Sequence, residues 1–242
     1  MIVIPMAGMS SRFTVAGYQT PKYMLQAHGQ SLFAHAIKSF EAYFDKLPFL
    51  FIARNVQNTE TFIRNECRRL GIMSFVVVIL DAPTSGQAET VAIGLQKADI
   101  SLSEMVTIFN IDTFRPGFVF PSNLDLLNID GYLEVFRGEG ANWSYVLPNP
   151  IGDGSVLETT EKVPVSDLCC TGLYHFKSKK LFLDIYKEFT KEGLTRFGLK
   201  ELYIAPMYNL MIEKNMVIRY SEIRRDEVIF CGVPEEYLDF LK

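Results

Sequence analysis

Short apolar runs and amphipathic stretches take turns along the first half of the chain. Residues 2–4 (Ile-Val-Ile), 49–53 and Phe75–Leu80 are dominated by β-branched and aromatic side chains with no polar alternation, the pattern of strands buried on both faces. Between them the apolar positions return with helical spacing. Ser31 can cap a helix running to about residue 44, with Leu32, Ile37 and Phe40 apolar, and residues 59–70 read as a second helix that stops at Gly71. Three strands separated by two helices predict parallel strands covered on both faces. Residues 105–110 add a fourth buried strand.

From residue 132 the rhythm changes. Residues 132–136, 143–147, 155–162 and Leu168–Phe176 follow one another closely, joined by turns such as Asn149-Pro150-Ile151-Gly152-Asp153-Gly154, which predicts antiparallel strands extending the sheet. Residues 178–192 and 199–214 read as amphipathic helices, the second kinked or restarted at Pro206. Residues 217–220 and 227–231 read as strands, and residues 234–241 as a helix with Pro234 in its first turn. At 242 residues the chain fits one domain, 1–242, made of a first half (1–130) and a second half (131–242).

Composition narrows the partners. The net charge is −4 and no block of Lys or Arg occurs, so neither nucleic acid nor an anionic membrane is expected to bind. No apolar run is long enough to span a membrane and the start lacks the basic flank of a signal peptide, so a cytoplasmic protein is expected. Cys67, Cys169, Cys170 and Cys231 form no C-x-x-C pair and are read as reduced thiols. His28, His35 and His175 are scattered, which gives a His-based metal site no support. A homo-oligomer stays open.

The first strand runs into Met6-Ala7-Gly8-Met9-Ser10-Ser11-Arg12. Small residues let a ligand approach the backbone there, and two hydroxyls beside free N–H groups suit phosphate oxygens. Arg12 offers a planar fork of donors and Lys22 a compact second positive charge. The loop has no Gly-Lys-Ser or Gly-Lys-Thr of a phosphate-binding Walker loop and only one of the glycines of a dinucleotide fingerprint. Taken alone, it also fits an ordinary strand-to-helix turn. Asp112 follows the fourth strand, where open α/β sheets bind ligands, and is a hard oxygen donor of the kind Mg²⁺ takes; the same residue could simply cap a turn.

These segments resemble the sugar-phosphate nucleotidyltransferases that make nucleotide sugars. In that family a loop Ala-Gly-Gly-x-(Gly/Ser)-x-Arg-(Leu/Phe) is followed by Pro-Lys-x-x-Leu; here the loop is Met6-Ala7-Gly8-Met9-Ser10-Ser11-Arg12-Phe13, with Met9 for the second Gly, followed by Pro21-Lys22-Tyr23-Met24-Leu25. Pro83, Gly86 and Ala88 match a base-holding loop, and Asp81 falls near a base-reading position. A carboxylate there could accept from cytosine, uracil or thymine. Glu161-Lys162 and Thr171-Gly172-Leu173-Tyr174-His175-Phe176 match acceptor-side motifs.

The resemblance implies an α/β, Rossmann-like nucleotidyltransferase (GT-A-like) three-layer sandwich with a mostly parallel mixed sheet. Arg12, Lys22 and Asp112 would be catalytic, and Met6, Ala7, Gly8, Ser10, Ser11, Arg12, Asp81 and Gly86 would bind the nucleotide. Glu161, Lys162, Thr171 and Gly172 would meet the acceptor, and Asp112 would hold Mg²⁺. The implied reaction joins an NTP to a phosphorylated small acceptor, foremost a sugar 1-phosphate, with release of pyrophosphate, for nucleotide-sugar or surface-polysaccharide synthesis.

One position departs from the family. Its Asp-x-Gly-Thr-Pro-Glu-Glu-Tyr, whose Asp is a second metal ligand, becomes Phe230-Cys231-Gly232-Val233-Pro234-Glu235-Glu236-Tyr237, and Phe cannot hold a cation. Asp226 or Glu227 could substitute, Asp112 could hold the ion with phosphate and water, or catalysis could be lost. Asp226 would lie roughly 13 Å from residue 230 along an extended strand, which favours Asp112 acting alone. Two other readings stand beside this one. A GT-A-type glycosyltransferase would want an Asp-x-Asp pair, of which Asn110-Ile111-Asp112 supplies half. A catalytically inactive nucleotide- or sugar-phosphate-binding domain would release no pyrophosphate.

Overall fold

A nine-stranded sheet draws on both halves of the chain. In the computed structural model, which describes the backbone of residues 1–242 and all side chains but those of residues 192 and 193, its strands in chain order are β1 (Ile2–Pro5), β2 (Phe49–Arg54), β3 (Phe75–Leu80), β4 (Val106–Phe109), β5 (Gly131–Arg137), β6 (Ser144–Pro148), β7 (Val156–Glu161), β8 (Leu168–Phe176) and β9 (Ile218–Ile223). The helices are α1 (Ser11–Val15), α2 (Leu32–Ile37), α3 (Thr59–Leu70), α4 (Gln87–Lys97), α5 (Lys179–Arg196), α6 (Met207–Glu213) and α7 (Pro234–Phe240).

β1 lies between β4 and β2, and β3 closes that edge, all four parallel. β8 runs antiparallel to β4 on one side and to β5 on the other, and its first half also meets β6. β7 pairs antiparallel with β6, whereas β9 runs parallel to β5. Only β7 and β8 therefore oppose the direction of the other strands, and the sheet is mixed but mostly parallel. Apolar side chains cover both faces. Val91, Leu95, Phe182, Phe189 and Tyr208, from α4, α5 and α6, pack on one. Phe33, Ile63, Cys67 and Tyr237, from α2, α3 and α7, pack on the other. The result is the three-layer sandwich.

β8 carries the irregularity that matters for the site. Its register with β5 slips between Cys170 and Tyr174, across Thr171 and Gly172. Gly172 has φ +94°, and a Cβ there would come within 2.4 Å of the Asn110 side-chain amide, so only glycine fits.

Several elements differ from the sequence expectation. Phe75–Leu80 forms β3 but is only partly buried, with Val76 42% exposed, because it is an edge strand with a single neighbour. The helix begun at Ser31 tightens to 3₁₀ geometry over Lys38–Tyr43, and Phe40 leaves helical angles. Of residues 199–214 only Met207–Glu213 is helical. Pro206 stands at its N-cap, and the segment before it is held by backbone bonds to the 85–88 loop instead. Residues 227–231 do not make a continuous strand: Arg225–Glu227 is a 3₁₀ turn and only Ile229–Phe230 pairs, antiparallel with Thr113–Phe114.

Candidate active site

The carboxyl ends of β1 and β4 open onto a cleft of about 670 Å³, room for a nucleotide and a small acceptor together. Met6, Ala7, Gly8, Ser10, Ser11 and Arg12 line it from the loop after β1, Asn110, Ile111 and Asp112 from the turn after β4, and Thr171 and Gly172 from the slip in β8. Gly86, Glu161 and Lys162 line it as well. Loop 6–12 is anchored by Met6 N–H to the Ile52 carbonyl (2.8 Å), and Arg54 Nε donates to the Ala7 carbonyl (2.9 Å). Nothing lies within 4 Å of where a Gly8 Cβ would sit, so the space over it is open to a ligand.

Lys22 crosses the cleft floor to Asp112, Nζ to Oδ2 2.5 Å, with both side chains about one-fifth exposed. Burial pushes the Asp112 carboxyl up, but the Lys22 ammonium, and at longer range Arg12, more than reverse this and hold it below its ordinary value. The Arg12 guanidinium is itself exposed on the cleft rim. Asn110 accepts at Oδ1 from Gln87 Nε2 (2.5 Å), and its backbone N–H donates to the Gly172 carbonyl (3.1 Å).

Beneath the Asp112 turn lies a buried ionic network. Arg115 and Glu134 are 6% and 3% exposed and pair at 3.0 Å. Thr171 Oγ1 donates to Glu134 Oε1 (3.0 Å), Thr113 Oγ1 donates to the Thr171 carbonyl (3.1 Å), and Arg115 also donates to the Glu227 carbonyl (3.1 Å). One charge pair thus ties together the turn after β4, the slip in β8 and the 3₁₀ turn at Arg225–Glu227. Burial pushes the Glu134 carboxyl up despite Arg115.

On the second half's side, Ser144 Oγ donates to Glu161 Oε2 (2.5 Å). The Glu161 side chain is 7% exposed, and burial raises its carboxyl against the pull of Ser144 and Lys162. Lys162 sits at φ +60°, donates from Nζ to Tyr203 Oη (2.7 Å) and lies 4.6 Å from that ring's centroid.

Of the candidate catalytic, nucleotide-binding and acceptor-binding residues, all but one line this cleft. Asp81 is the exception: its side chain is 95% exposed, pairs with Lys97 at 3.7 Å and does not line the cleft. Pro83, Thr84 and Gln87 stand at the loop's cleft side instead. Gly86, expected to approach a base, is required by protein: a Cβ there would come within 2.5 Å of the Leu202 backbone. Sequence reasoning missed Gln87, Trp143, Tyr203 and the Arg115–Glu134 pair. Only the last left a signal, a lone Glu inside the apolar run Tyr132-Leu133-Glu134-Val135-Phe136, which demands a buried partner.

Comparison with known proteins bears on the family and the fold. No protein-family model and no curated protein matches the chain. Among solved structures, the nucleoside-diphosphate-sugar pyrophosphorylase from Vibrio cholerae RC9 is 54% identical over 100% of this chain and 99% of that one, with a TM-score of 0.95. The chain belongs to the nucleoside-diphosphate-sugar pyrophosphorylases. The fold persists in solved structures at far lower identity. The inositol-1-phosphate CTP transferase from T. maritima is 13% identical with a TM-score of 0.74, covering 99% of this chain and 93% of that one. A UDP-glucose pyrophosphorylase solved with UDP-glucose is 13% identical with a TM-score of 0.69, covering 99% and 96%. At that identity the likeness is one of fold alone.

Proposed function

We propose that the chain transfers a nucleotidyl group from an NTP to a phosphorylated small acceptor, foremost a sugar 1-phosphate, and releases pyrophosphate. The observation that carries this reading is one continuous cleft lined by loop 6–12, the Lys22–Asp112 pair and the Glu161-Lys162 and Thr171-Gly172 segments. Both substrates fit a single space, and the chemistry needs no protein nucleophile. The acceptor's phosphate oxygen attacks the α-phosphorus in line, and pyrophosphate leaves on the opposite side.

The protein's part is then positioning and charge neutralisation. Backbone N–H groups and hydroxyls of Gly8, Ser10 and Ser11 hold phosphate oxygens. Arg12 and Lys22 stabilise the negative charge that builds during transfer. The second-half segments orient the acceptor, with Glu161 an acceptor for its hydroxyls.

The donor set at Asp112 suits Mg²⁺. It is one hard carboxylate, held ionised, beside a space sized for a triphosphate, and this ion takes one or two carboxylates plus phosphate oxygens and water. Bound there, the cation would neutralise phosphate charge. Among the described residues no group of three or more His, Cys, Asp or Glu is arranged as a metal site. Asp226 pairs with Arg224 at 2.9 Å, and Glu227 Oε2 accepts from the Arg224 backbone at 2.9 Å, so neither is turned to Asp112. Glu236 also lines the cleft, but its Oε2 accepts from Gly232 N–H (2.7 Å) and Val233 N–H (3.2 Å), so we assign the protein's metal contact to Asp112 alone.

A nucleotide sugar is an activated donor, which supports a place ahead of glycosyl transfer in polysaccharide synthesis. No helix among the described residues is long and apolar enough to cross a membrane. The test is pyrophosphate release from each NTP with Mg²⁺ and a panel of phosphorylated acceptors. Release that depends on both NTP and acceptor is the expected result, and none with any pair refutes the reading.

A further inference from the structure

Beside the cleft lies a second, smaller pocket of about 210 Å³. Met6, Gly8, Met9 and Ser10 line both, so the loop after β1 is a wall that the two cavities share. Arg12, Lys22, Asp112, Glu161 and Lys162 all line the cleft, and none of them lines the smaller pocket. The rest of its wall includes residues 18–21 and Arg54, Val56 and Gln57 at the end of β2. The pocket therefore stands apart from every charged group placed in the transfer chemistry.

Arg54 is the one charged side chain among the described residues of this wall, and no carboxylate accompanies it. Its Nε donates to the Ala7 carbonyl (2.9 Å), which fixes the guanidinium beside the loop. Among the described residues Nη1 and Nη2 make no hydrogen bond or ion pair, which leaves a fork of two donors of the kind that phosphate oxygens accept from. Burial pushes the Tyr23 phenol up, and the Thr59 bond and the Arg54 charge oppose it, so that charge is felt at the pocket wall. Ser10 and Thr20 line the same space, and their hydroxyls donate to no partner among the described residues.

A cation without a counter-ion, set among neutral hydroxyls, favours an anion over a neutral or cationic guest. Pockets for drug-sized ligands hold about 300–1,000 Å³, so this one suits a small polyatomic anion rather than a nucleotide. We propose that the pocket is a second anion site, in which Arg54 holds one small phosphate anion, orthophosphate or pyrophosphate, separately from the nucleotide. The anion's oxygens accept from Nη1 and Nη2 and from the Ser10 and Thr20 hydroxyls, and the occupant rests against the loop that also lines the cleft.

The experiment titrates orthophosphate, and separately pyrophosphate, into the whole protein without Mg²⁺ and reads binding by calorimetry. The same titrations are run on Arg54→Gln, on Thr20→Glu, and on a double variant, Arg12→Ala with Lys22→Ala, that strips two cations from the cleft. Binding that survives the double variant but weakens roughly tenfold or more in Arg54→Gln and Thr20→Glu is the expected result. Thr20 is exposed, so Thr20→Glu sets a negative charge in the pocket and tests it even if Arg54→Gln, which loses the Ala7 anchor, fails to fold. Equal affinity for the two anions assigns the pocket to free phosphate, and a preference for pyrophosphate assigns it to the product of the proposed transfer; either supports the site. Binding that is lost in the double variant and kept in Thr20→Glu puts the anion in the cleft and overturns the second site. Binding of neither anion overturns it as well. The readout is independent of turnover, so failure of the site and failure of the transferase reading are told apart.

Discussion

The Lys22 ammonium sits 2.5 Å from the Asp112 carboxylate, although 90 residues separate them in the chain. Each partner faces the cleft, so the pair is a charged floor rather than a surface contact. Lys22→Ala removes a cation from beside the site of charge build-up and is expected to lower turnover by about two orders of magnitude or more. It also removes the main opposition to burial at Asp112, leaving only the weaker pull of the backbone and Arg12, so that carboxyl's pKa is expected to rise. Pyrophosphate release and a carboxyl NMR titration check the two effects, and an unmoved Asp112 titration would refute the pairing.

Asp112→Asn keeps the shape of the floor and deletes its negative charge. Turnover should fall steeply and the Mg²⁺ concentration at half-maximal rate should rise. A Mg²⁺ titration that superimposes on the unaltered protein's would reduce Asp112 to a turn-capping role.

Two glycines in the same cleft should respond in opposite ways to alanine. At Gly8 there is open space, so Gly8→Ala is expected to melt normally yet raise the NTP KM. At Gly86 the new methyl meets the Leu202 backbone within 2.5 Å at φ +150°, and backbone cannot swing aside. Gly86→Ala should therefore lower stability by about 1–3 kcal/mol. Paired thermal melts and NTP titrations separate the cases.

Glu134→Gln preserves volume but leaves buried Arg115 with only the more exposed Glu227 carboxylate, 3.9 Å away, as counter-charge, expected to cost about 3 kcal/mol, the low end of the range for breaking a buried pair. Because the same network holds the Asp112 turn and the slip in β8, kcat should fall with stability rather than KM alone. Denaturant unfolding alongside steady-state kinetics gives both numbers.

His175 is 1% exposed, with Nδ1 2.9 Å from Thr107 Oγ1 and no partner for Nε2, and burial pushes its pKa down to about 3. Between that value and the ordinary ~6.5 the unfolded chain binds a proton that the folded chain refuses. Stability should accordingly be complete above about pH 6.5 and fall by about 1.4 kcal/mol per unit as pH drops below it. His175→Phe should flatten that slope in melts run from pH 7 to pH 5.

The parts legible in the sequence were those written in contiguous residues. Loop 6–12, Lys22, Asp112 and Thr171-Gly172 sit in short motifs, and the buried strands from Ile2 to Phe109 announce themselves by apolar runs. What was not legible depends on contacts between distant segments. Nothing local shows that Phe75–Leu80 lies at an edge, or that Asp81 turns outward to Lys97. The extended-strand distance between residues 226 and 230 does not apply, because Arg225–Glu227 coils into a 3₁₀ turn, and Asp226 is engaged with Arg224 instead. Trp143 meeting Phe230 is a fact of tertiary packing with no sequence signature at all.

The close contact at Gly86 has a mechanical side. Leu202 N–H donates to the Ser85 carbonyl at 2.9 Å, and the Leu202 carbonyl accepts from Ala88 N–H at 2.8 Å. The two segments are clamped at a single residue, with the missing side chain of Gly86 as the gap that admits the clamp. Glu201 and Tyr203, which flank that residue, line the cleft and, through Tyr203, hold Lys162. A displacement of the 83–87 loop would therefore be passed, through these two backbone hydrogen bonds, to the segment that carries Glu201 and Tyr203.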